Sequence, residues 1–255
     1  GRMHEKPNMT PQDWVSATKW YRKANEQGFP KAQHTLGWIY RNGYGVEEDL
    51  GRAAQFYQKA AEQGYTESQY RLGCMHMSGE GLSSDEARAE EWFTKAAEQG
   101  HKKSQHNLGV MYMNGSGLRK NESKAEKWFT KAAKQGYVTD QYNLGSMYFF
   151  GLGVAKNNAW AIKWFKKASD QEHAEAQCNL GFMYLNGVGV RKDQKRAVEL
   201  FMKSAEQGCS QGQFNLASMY GRGCGISRDV KSGGEWLRRA SDQGHIDAQL
   251  CLDGV

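Results

Sequence analysis

The sequence contains few of the features that mark enzymes, membrane proteins and disulfide-bonded proteins. It has only 3 prolines in 255 residues, which favours uninterrupted helices because proline breaks helix interiors. No apolar run approaches the length of a membrane span, and the N-terminal GRMHEKPNMT lacks the apolar core of a leader peptide. There is no Gly-x-Ser-x-Gly motif, and the 7 histidines lack metal or triad spacing. We therefore predict a protein that is not an enzyme and that holds no metal or cofactor.

Cysteine is also sparse and irregularly placed. No Cys-x-x-Cys pair occurs, and the 5 cysteines fall at unrelated positions: Cys74, Cys178, Cys209, Cys224 and Cys251. This scatter predicts free thiols in a reducing compartment. We expect a cytoplasmic protein, or a periplasmic or secreted one if a leader peptide is missing from this chain, in which Gly1 and Arg2 resemble a cloning remnant before Met3.

The charge is unevenly distributed. The chain has 34 Lys and Arg against 28 Asp and Glu, a net charge of +6. Residues 1–100 carry 12 basic against 14 acidic side chains, and residues 101–255 carry 22 against 14. The simplest interpretation is a mildly basic solvated surface, and the alternative is a C-terminal region that meets an acidic partner.

A 36-residue repeat organises the whole chain. Glycines recur at multiples of this period, with Glu172 in place of one of them: Gly28, Gly64, Gly100, Gly136, Gly208 and Gly244. Residues 29–244 hold six full copies, residues 13–28 form the second helix of a partial copy, and residues 245–255 begin another. Residues 1–12 fit no part of the repeat and are expected to be a loose tail. A fixed period of this length predicts an all-α solenoid of stacked helix-turn-helix pairs.

Each repeat is expected to contain two helices joined by a glycine-rich turn. The first helix runs from about the fourth to the fourteenth position and carries a small residue, usually glycine, which implies that a neighbouring helix passes too close for a Cβ. The second helix starts after an Asp or Asn N-cap: Asp13, Asp49, Asp85, Asn121, Asn157, Asp193 and Asp229. His101, His173 and His245 share the first position of their repeats, where we predict a packing role beside the turn.

Two local motifs have simpler explanations than ligand binding. The Gly-x-Gly stretches lack the preceding strand and the Gly-Lys-Ser/Thr of a phosphate loop, so they indicate turns. Basic residues follow these turns at Arg119-Lys120, Arg191-Lys192, Lys195-Arg196 and Arg228. Without interleaved aromatics, they make nucleic-acid binding a remote alternative.

The consensus Ala-Gln-x-x-Leu-Gly-x-Met-Tyr-x-x-Gly-x-Gly-Val-x-x-Asp, followed by Ala-x-x-Trp-x-x-Lys-Ala-Ala-x-x-Gly, closely resembles the Sel1-like repeat, a relative of the tetratricopeptide repeat. The resemblance covers residues 13–252 and departs at His76, Leu200, Glu172 and Ala217. It implies a right-handed superhelix whose first helices line a concave groove, and a non-enzymatic protein-binding or scaffolding role. Members of the family act as adaptors, and some act as immunity proteins against secreted toxins.

The variable positions of the first helices are the candidates for partner binding. The seventh, tenth and fourteenth positions share one face, and the seventh position holds asparagine in four successive repeats. An asparagine amide can pair with a peptide backbone, while aromatic neighbours supply selectivity. The alternative is that these asparagines bond within the solenoid. The predicted contact residues are Trp38, Asn107, Asn143, Phe150, Asn179, Phe182, Asn186, Asn215 and Arg222.

These features together predict a non-catalytic adaptor that binds a protein or peptide in its groove, and the basic C-terminal region would suit an acidic ligand. The alternative of a different kind is an immunity or inhibitor protein that neutralises a secreted toxin. No membrane span is expected, and the sequence leaves the oligomeric state open.

Overall fold

The computed structural model describes residues 10–117 and 119–253, and every regular element in them is an α-helix. In chain order these are α1 (Pro11–Glu26), α2 (Pro30–Asn42), α3 (Leu50–Glu62), α4 (Thr66–Ser78), α5 (Glu86–Glu98), α6 (Lys102–Asn114), α7 (Glu122–Lys134), α8 (Val138–Phe150), α9 (Asn158–Ser169), α10 (Ala174–Asn186), α11 (Gln194–Glu206), α12 (Ser210–Arg222), α13 (Val230–Asp242) and α14 (Ile246–Asp253). The predicted all-α repeat fold is confirmed.

The helices belong to two compact halves that divide between Trp128 and Phe129, inside α7. In the N-terminal half, helices that follow one another in sequence pack together from α1 to α6. In the C-terminal half, the same holds from α9 to α14, and α8 packs against α9. The first helices α8, α10 and α12 of successive repeats also contact one another there, α10 touching both of the others. The variable residues of these three helices therefore lie on neighbouring elements.

Most of the second helices begin where the sequence predicts. The side chain of Asp49 accepts a hydrogen bond from the backbone N–H of Arg52 at 2.8 Å. The equivalent bond recurs at Asp85, Asn121, Asn157, Asp193 and Asp229. Each bond satisfies a free N–H of the first helical turn and stabilises the helix by about 1 kcal/mol.

Two helix boundaries were predicted wrongly. The first helices start at the second position of the repeat, as at Pro30, because the residue before them is extended and acts as the N-cap. Asp13 does not cap α1, since Thr10 is the N-cap and Asp13 completes a capping box with it. Thr10 caps α1, and Pro11 and Gln12 lie within it, so they are not part of a loose tail, and residues 1–9 lie outside the described part of the chain.

Close packing of an aromatic ring on a helix explains the recurring small residue. A Cβ added at Gly73 would lie 2.7 Å from the Phe93 ring, and one at Gly145 would lie 2.4 Å from the Phe165 ring. Both rings are buried in the core. The close approach that the sequence predicts is therefore confirmed, and the structure shows that an aromatic ring of the neighbouring helix makes it.

The last full repeat exchanges its small residues between its two helices. Ala217 takes the place of the glycine in α12, while Gly233 in α13 takes the place of an alanine that the earlier repeats keep. A Cβ at Gly233 would lie 3.2 Å from the Ala217 carbonyl oxygen. The space lost on one helix is thus recovered on the other.

Buried glutamines link each of these repeats to the preceding one, and each pairs with a second glutamine of its own repeat. The Gln69 side chain donates to the carbonyl of Ala61 at the end of α3 and accepts from the Gln99 side chain at 2.7 Å. The same arrangement recurs in the C-terminal half, where Gln141 donates to Ala133 and accepts from Gln171. Each buried glutamine therefore adds a side-chain donor to a helix-terminal carbonyl of the preceding repeat and has its own polar atoms satisfied.

Candidate protein-binding surface

Two phenylalanine rings on the first helices of the C-terminal half remain open to solvent. Phe150 ends α8 and is 64% exposed, and Phe182 on α10 is 44% exposed. Phe149 connects them, because its ring centroid lies 4.9 Å from that of Phe150 and 6.3 Å from that of Phe182. We call Phe149, Phe150 and Phe182 the phenylalanine patch.

The patch is held in place by the core beneath it. Phe149 packs against the core cluster that contains Phe165, with 6.5 Å between the ring centroids. The rings of Phe150 and Phe182 meet that of Phe149 edge-on, with interplanar angles of 86° and 85°. This is a favourable geometry for aromatic pairs. The ammonium of Lys156 lies 5.7 Å from the Phe149 centroid. A rigid apolar surface with a cation beside it is the result.

The predicted asparagines differ in their surroundings. Asn215 donates to the Cys178 sulfur at 3.3 Å, and its side-chain oxygen accepts from Gln211. Asn143 donates to the Asp140 carboxylate at 3.2 Å on its own helix. These three bonds match the alternative in which the asparagines bond within the solenoid, although a half-buried amide keeps some capacity for another partner.

The remaining predicted amides fall into two groups. Asn179 on α10 and Asn107 on α6 are half-buried, and no hydrogen bond of either amide to another described residue is found. Asn186 is exposed, and its amide donates to the backbone oxygen of Phe182 at 2.9 Å. Asn179 is therefore the amide near the phenylalanine patch that is best able to accept a new partner.

Two predicted contact residues are not part of the patch. Trp38 is half-buried in the N-terminal half, with its ring centroid 5.5 Å from Trp14 and 4.8 Å from Tyr44. Arg222 is exposed at the end of α12. Trp38 thus packs inside its own half, whereas Arg222 is free to meet a partner.

The basic stretches are partly engaged by the protein itself. Arg196 lies over the Tyr184 ring at 4.7 Å, and Arg228 donates to the carbonyl of Gly221 at 3.1 Å. Lys120 pairs with Glu122 at 2.8 Å. These contacts favour the interpretation as ordinary surface charge over that of a nucleic-acid site.

The histidines at the first position cap helices in addition to the predicted packing. His101 accepts through Nδ1 from the backbone N–H of Ser104, and His173 and His245 do the same for Ala176 and Ala248. Each imidazole is therefore an N-cap of a first helix. Their ring contacts with the preceding repeat agree with the predicted packing role as well.

The glutamine pairs and the contact between Cys178 and Cys209 were missed by sequence reasoning. The glutamines carry a signal, since both members recur with the 36-residue period, 30 residues apart in the pair Gln69 and Gln99. The cysteine contact has a weaker signal, because only this one junction contains it.

Within the described residues, no group of His, Cys, Asp and Glu side chains is arranged to hold a metal ion. The same part of the chain has no helix that is both long and apolar enough to cross a membrane. The five cysteines are free thiols. These findings leave the phenylalanine patch and the amides beside it as the strongest candidate site.

Comparison with known proteins covers nearly the whole chain. The Sel1 repeat model matches seven times, at residues 1–29, 30–65, 66–101, 102–137, 140–173, 174–209 and 210–245. No curated protein sequence matches the chain significantly.

Among solved structures, a Sel1 repeat protein from Oxalobacter formigenes is 31% identical, with a TM-score of 0.72 over 90% of this chain and 92% of that one. A protective antigen present in uropathogenic Escherichia coli strains, with an SLR fold, is 37% identical with a TM-score of 0.84. That match covers 91% of this chain but only 50% of the antigen, so the chain spans half of that relative's length.

An immunity protein from Pseudomonas aeruginosa is also similar, at 23% identity and a TM-score of 0.44 over 96% of this chain and 85% of that one. A likeness this low says nothing of what the present chain binds. Sel1 repeats generally mediate protein–protein interactions, and by the repeat matches and the two closer structures this chain belongs to the Sel1 repeat family.

Proposed function

We propose that this protein is a non-catalytic adaptor that binds a protein or peptide on the first helices of its C-terminal half. The observation that carries the proposal is the exposure of Phe150 and Phe182 beside the anchored ring of Phe149. Aromatic side chains are enriched among the residues that dominate binding energy, because they bury a large area with few rotatable bonds.

The chemistry of the patch indicates the kind of partner. An apolar side chain of the partner would cover the two exposed rings. Lys156 lies beside Phe149 and has its ammonium available to a carboxylate. Asn179 can pair with a peptide N–H or C=O group. We therefore propose a partner segment with an apolar anchor residue next to an acidic one.

The test compares three versions of the full chain as bait in an affinity pull-down. One is unchanged and one carries Phe150→Ser with Phe182→Ser. The third carries Val230→Ser with Ile246→Ser, which removes two apolar side chains that are 64% and 71% exposed at other helix starts. A partner that uses the patch should be retained by the first and third baits and bind the second at least about tenfold more weakly.

Equal retention of the same proteins by all three baits would contradict the proposal and move the interaction to another surface. Asn179→Ala should also weaken binding without lowering the melting temperature. If binding and the melting temperature of Asn179→Ala both fall, this amide is structural.

A further inference from the structure

One contact is repeated wherever two described repeats of the same half meet. The residue at the sixth position of one repeat lies against the first residue of the next. Four of these contacts pair two rings, with centroids 4.6 to 5.1 Å apart: His34 with Tyr65, Tyr70 with His101, Tyr142 with His173, and Phe214 with His245. The contact is therefore a general packing joint of this solenoid.

At the joint between α10 and α12, cysteine replaces the ring on both sides. Cys178 occupies the sixth position and Cys209 the first. Cys209 packs against the core cluster that contains Cys178, and the two thiols are close enough to shift each other's pKa. A single change would have set one thiol against one ring. The paired change brings together two sulfur atoms from different repeats, which neither packing nor capping requires.

The two thiols are unequal. Cys178 is buried, at 3% exposure, and accepts from the Asn215 amide. Cys209 is half-buried and is the N-cap residue of α12, where the helix dipole favours negative charge. The hydrogen bond from Cys178 is the main cause that lowers the pKa of Cys209 to about 5. The same bond, together with burial, raises the pKa of Cys178. The joint therefore contains a partly accessible thiolate that touches a protected thiol.

We propose that Cys178 and Cys209 form a peroxide-sensitive thiol pair, in which Cys209 is the attacking thiolate and Cys178 the resolving thiol. This site is independent of the proposed partner-binding patch.

The reaction has two balanced steps. The Cys209 sulfur attacks one oxygen of hydrogen peroxide, so that an S–O bond forms and the O–O bond breaks. The hydroxide that leaves takes a proton from solvent, and Cys209 becomes a sulfenic acid, oxidised by two electrons. Cys178 then loses its proton and attacks the Cys209 sulfur. The S–S bond forms, the S–O bond breaks, and the departing hydroxide leaves as water with that proton.

The product joins α10 to α12 covalently at a joint where other repeats rely on ring packing. Two thiols and one peroxide give one disulfide and two waters. Cys209 is the less enclosed side of the pair, because it lies at a helix start and is half-buried. It has to move for the sulfur atoms to approach to about 2.05 Å.

The first test measures alkylation of the reduced full chain by iodoacetamide at pH 6. Cys209 should react about tenfold faster than the exposed Cys251, since its larger thiolate fraction outweighs its lower intrinsic nucleophilicity. Cys178→Ala removes the hydrogen-bond donor and should bring the Cys209 rate close to that of Cys251. An unchanged rate would show that Cys178 does not act on Cys209.

The second test treats the reduced chain with one equivalent of hydrogen peroxide and maps tryptic peptides by mass spectrometry. The unchanged protein and the control Cys74→Ala should lose about 2 Da and give a cross-linked peptide pair containing Cys178 and Cys209. Cys178→Ala should instead give a dimedone-trapped sulfenic acid at Cys209. Equal oxidation of Cys74, Cys224 and Cys251, or the same products from Cys209→Ser, would overturn the proposal.

Discussion

Trp38 in the N-terminal half and Phe182 in the C-terminal half occupy the same position of their repeats but have different surroundings. Trp38 is half-buried between Trp14 and Tyr44. Phe182 meets Phe149 along one edge and leaves 44% of its surface exposed. The scaffold beneath them is the same, so the difference comes from the residues that neighbouring helices bring to each ring.

The two halves also differ in how neighbouring polar residues are engaged. Arg41 reaches the next repeat and pairs with Glu80 at 2.7 Å, and Glu67 binds both Arg71 and His101. In the C-terminal half, Asn179 and Arg222 keep free polar atoms near the first-helix surface. In these examples the polar groups of the N-terminal half are used for internal contacts, while Asn179 and Arg222 of the C-terminal half stay available.

The largest expected effect tests whether the scaffold is equivalent in the two halves. Phe93→Ala and Phe165→Ala each remove a buried ring that packs on a glycine of the facing helix. Each should lower the free energy of unfolding by about 3–5 kcal/mol, measured by chemical denaturation. A cost at one site less than half of that at the other would show that the two cores are not equivalent.

Acid should reveal a second difference between the halves. His34 is 5% exposed, and burial is the main cause that lowers its pKa to about 4. Between pH 6.5 and 4 the unfolded chain binds a proton at this histidine that the folded chain does not. The free energy of unfolding should therefore fall by about 1–3 kcal/mol as pH decreases through this range.

His34→Gln is the matched variant, because glutamine can still bond to Ser68, the partner of His34 at 2.8 Å, but does not titrate. Its unfolding free energy, measured across the same pH range, should lose most of this slope. An unchanged slope would assign the acid sensitivity to other groups, such as the buried His76, whose pKa is also lowered by burial.

The comparison of aromatic positions gives a smaller expected effect. Trp38→Ala should cost about 2 kcal/mol, because it opens a three-ring cluster that is only half-buried. Phe150→Ala should cost less than about 0.5 kcal/mol, since most of that ring already faces water. Thermal melting of the two variants measures both, and similar losses would contradict the distinction between packed and available rings.

One substitution should raise stability, by less than the loss expected for Trp38→Ala. Glu172 has φ of 63° at the place where the other repeats use glycine. A side chain in this left-handed conformation is strained, so Glu172→Gly should stabilise the protein by about 1 kcal/mol. The neighbouring Gln171→Gly offers a control, because it removes the bond to Gln141 and should destabilise instead.

The helix pairs, the N-caps of the second helices and the need for a small residue where a neighbouring helix passes close followed from the sequence alone. Each depends on local chemistry that recurs with a fixed period, so several copies support the same inference. Asp13 shows the limit of this reasoning, because the partial repeat offers Thr10 as a better N-cap three residues earlier and Asp13 then completes the capping box.

Contacts between repeats were decided by the tertiary structure. Which aromatic ring is covered, which asparagine is already bonded and which cysteines touch depend on the side chains that two repeats bring face to face. The period predicts that these positions lie at contacts between repeats, but it does not predict which side chains meet there. Trp38 and Phe182 are therefore equivalent in sequence, and only the rings of Trp14 and Tyr44 make one of them part of the fold while the other remains open to a partner.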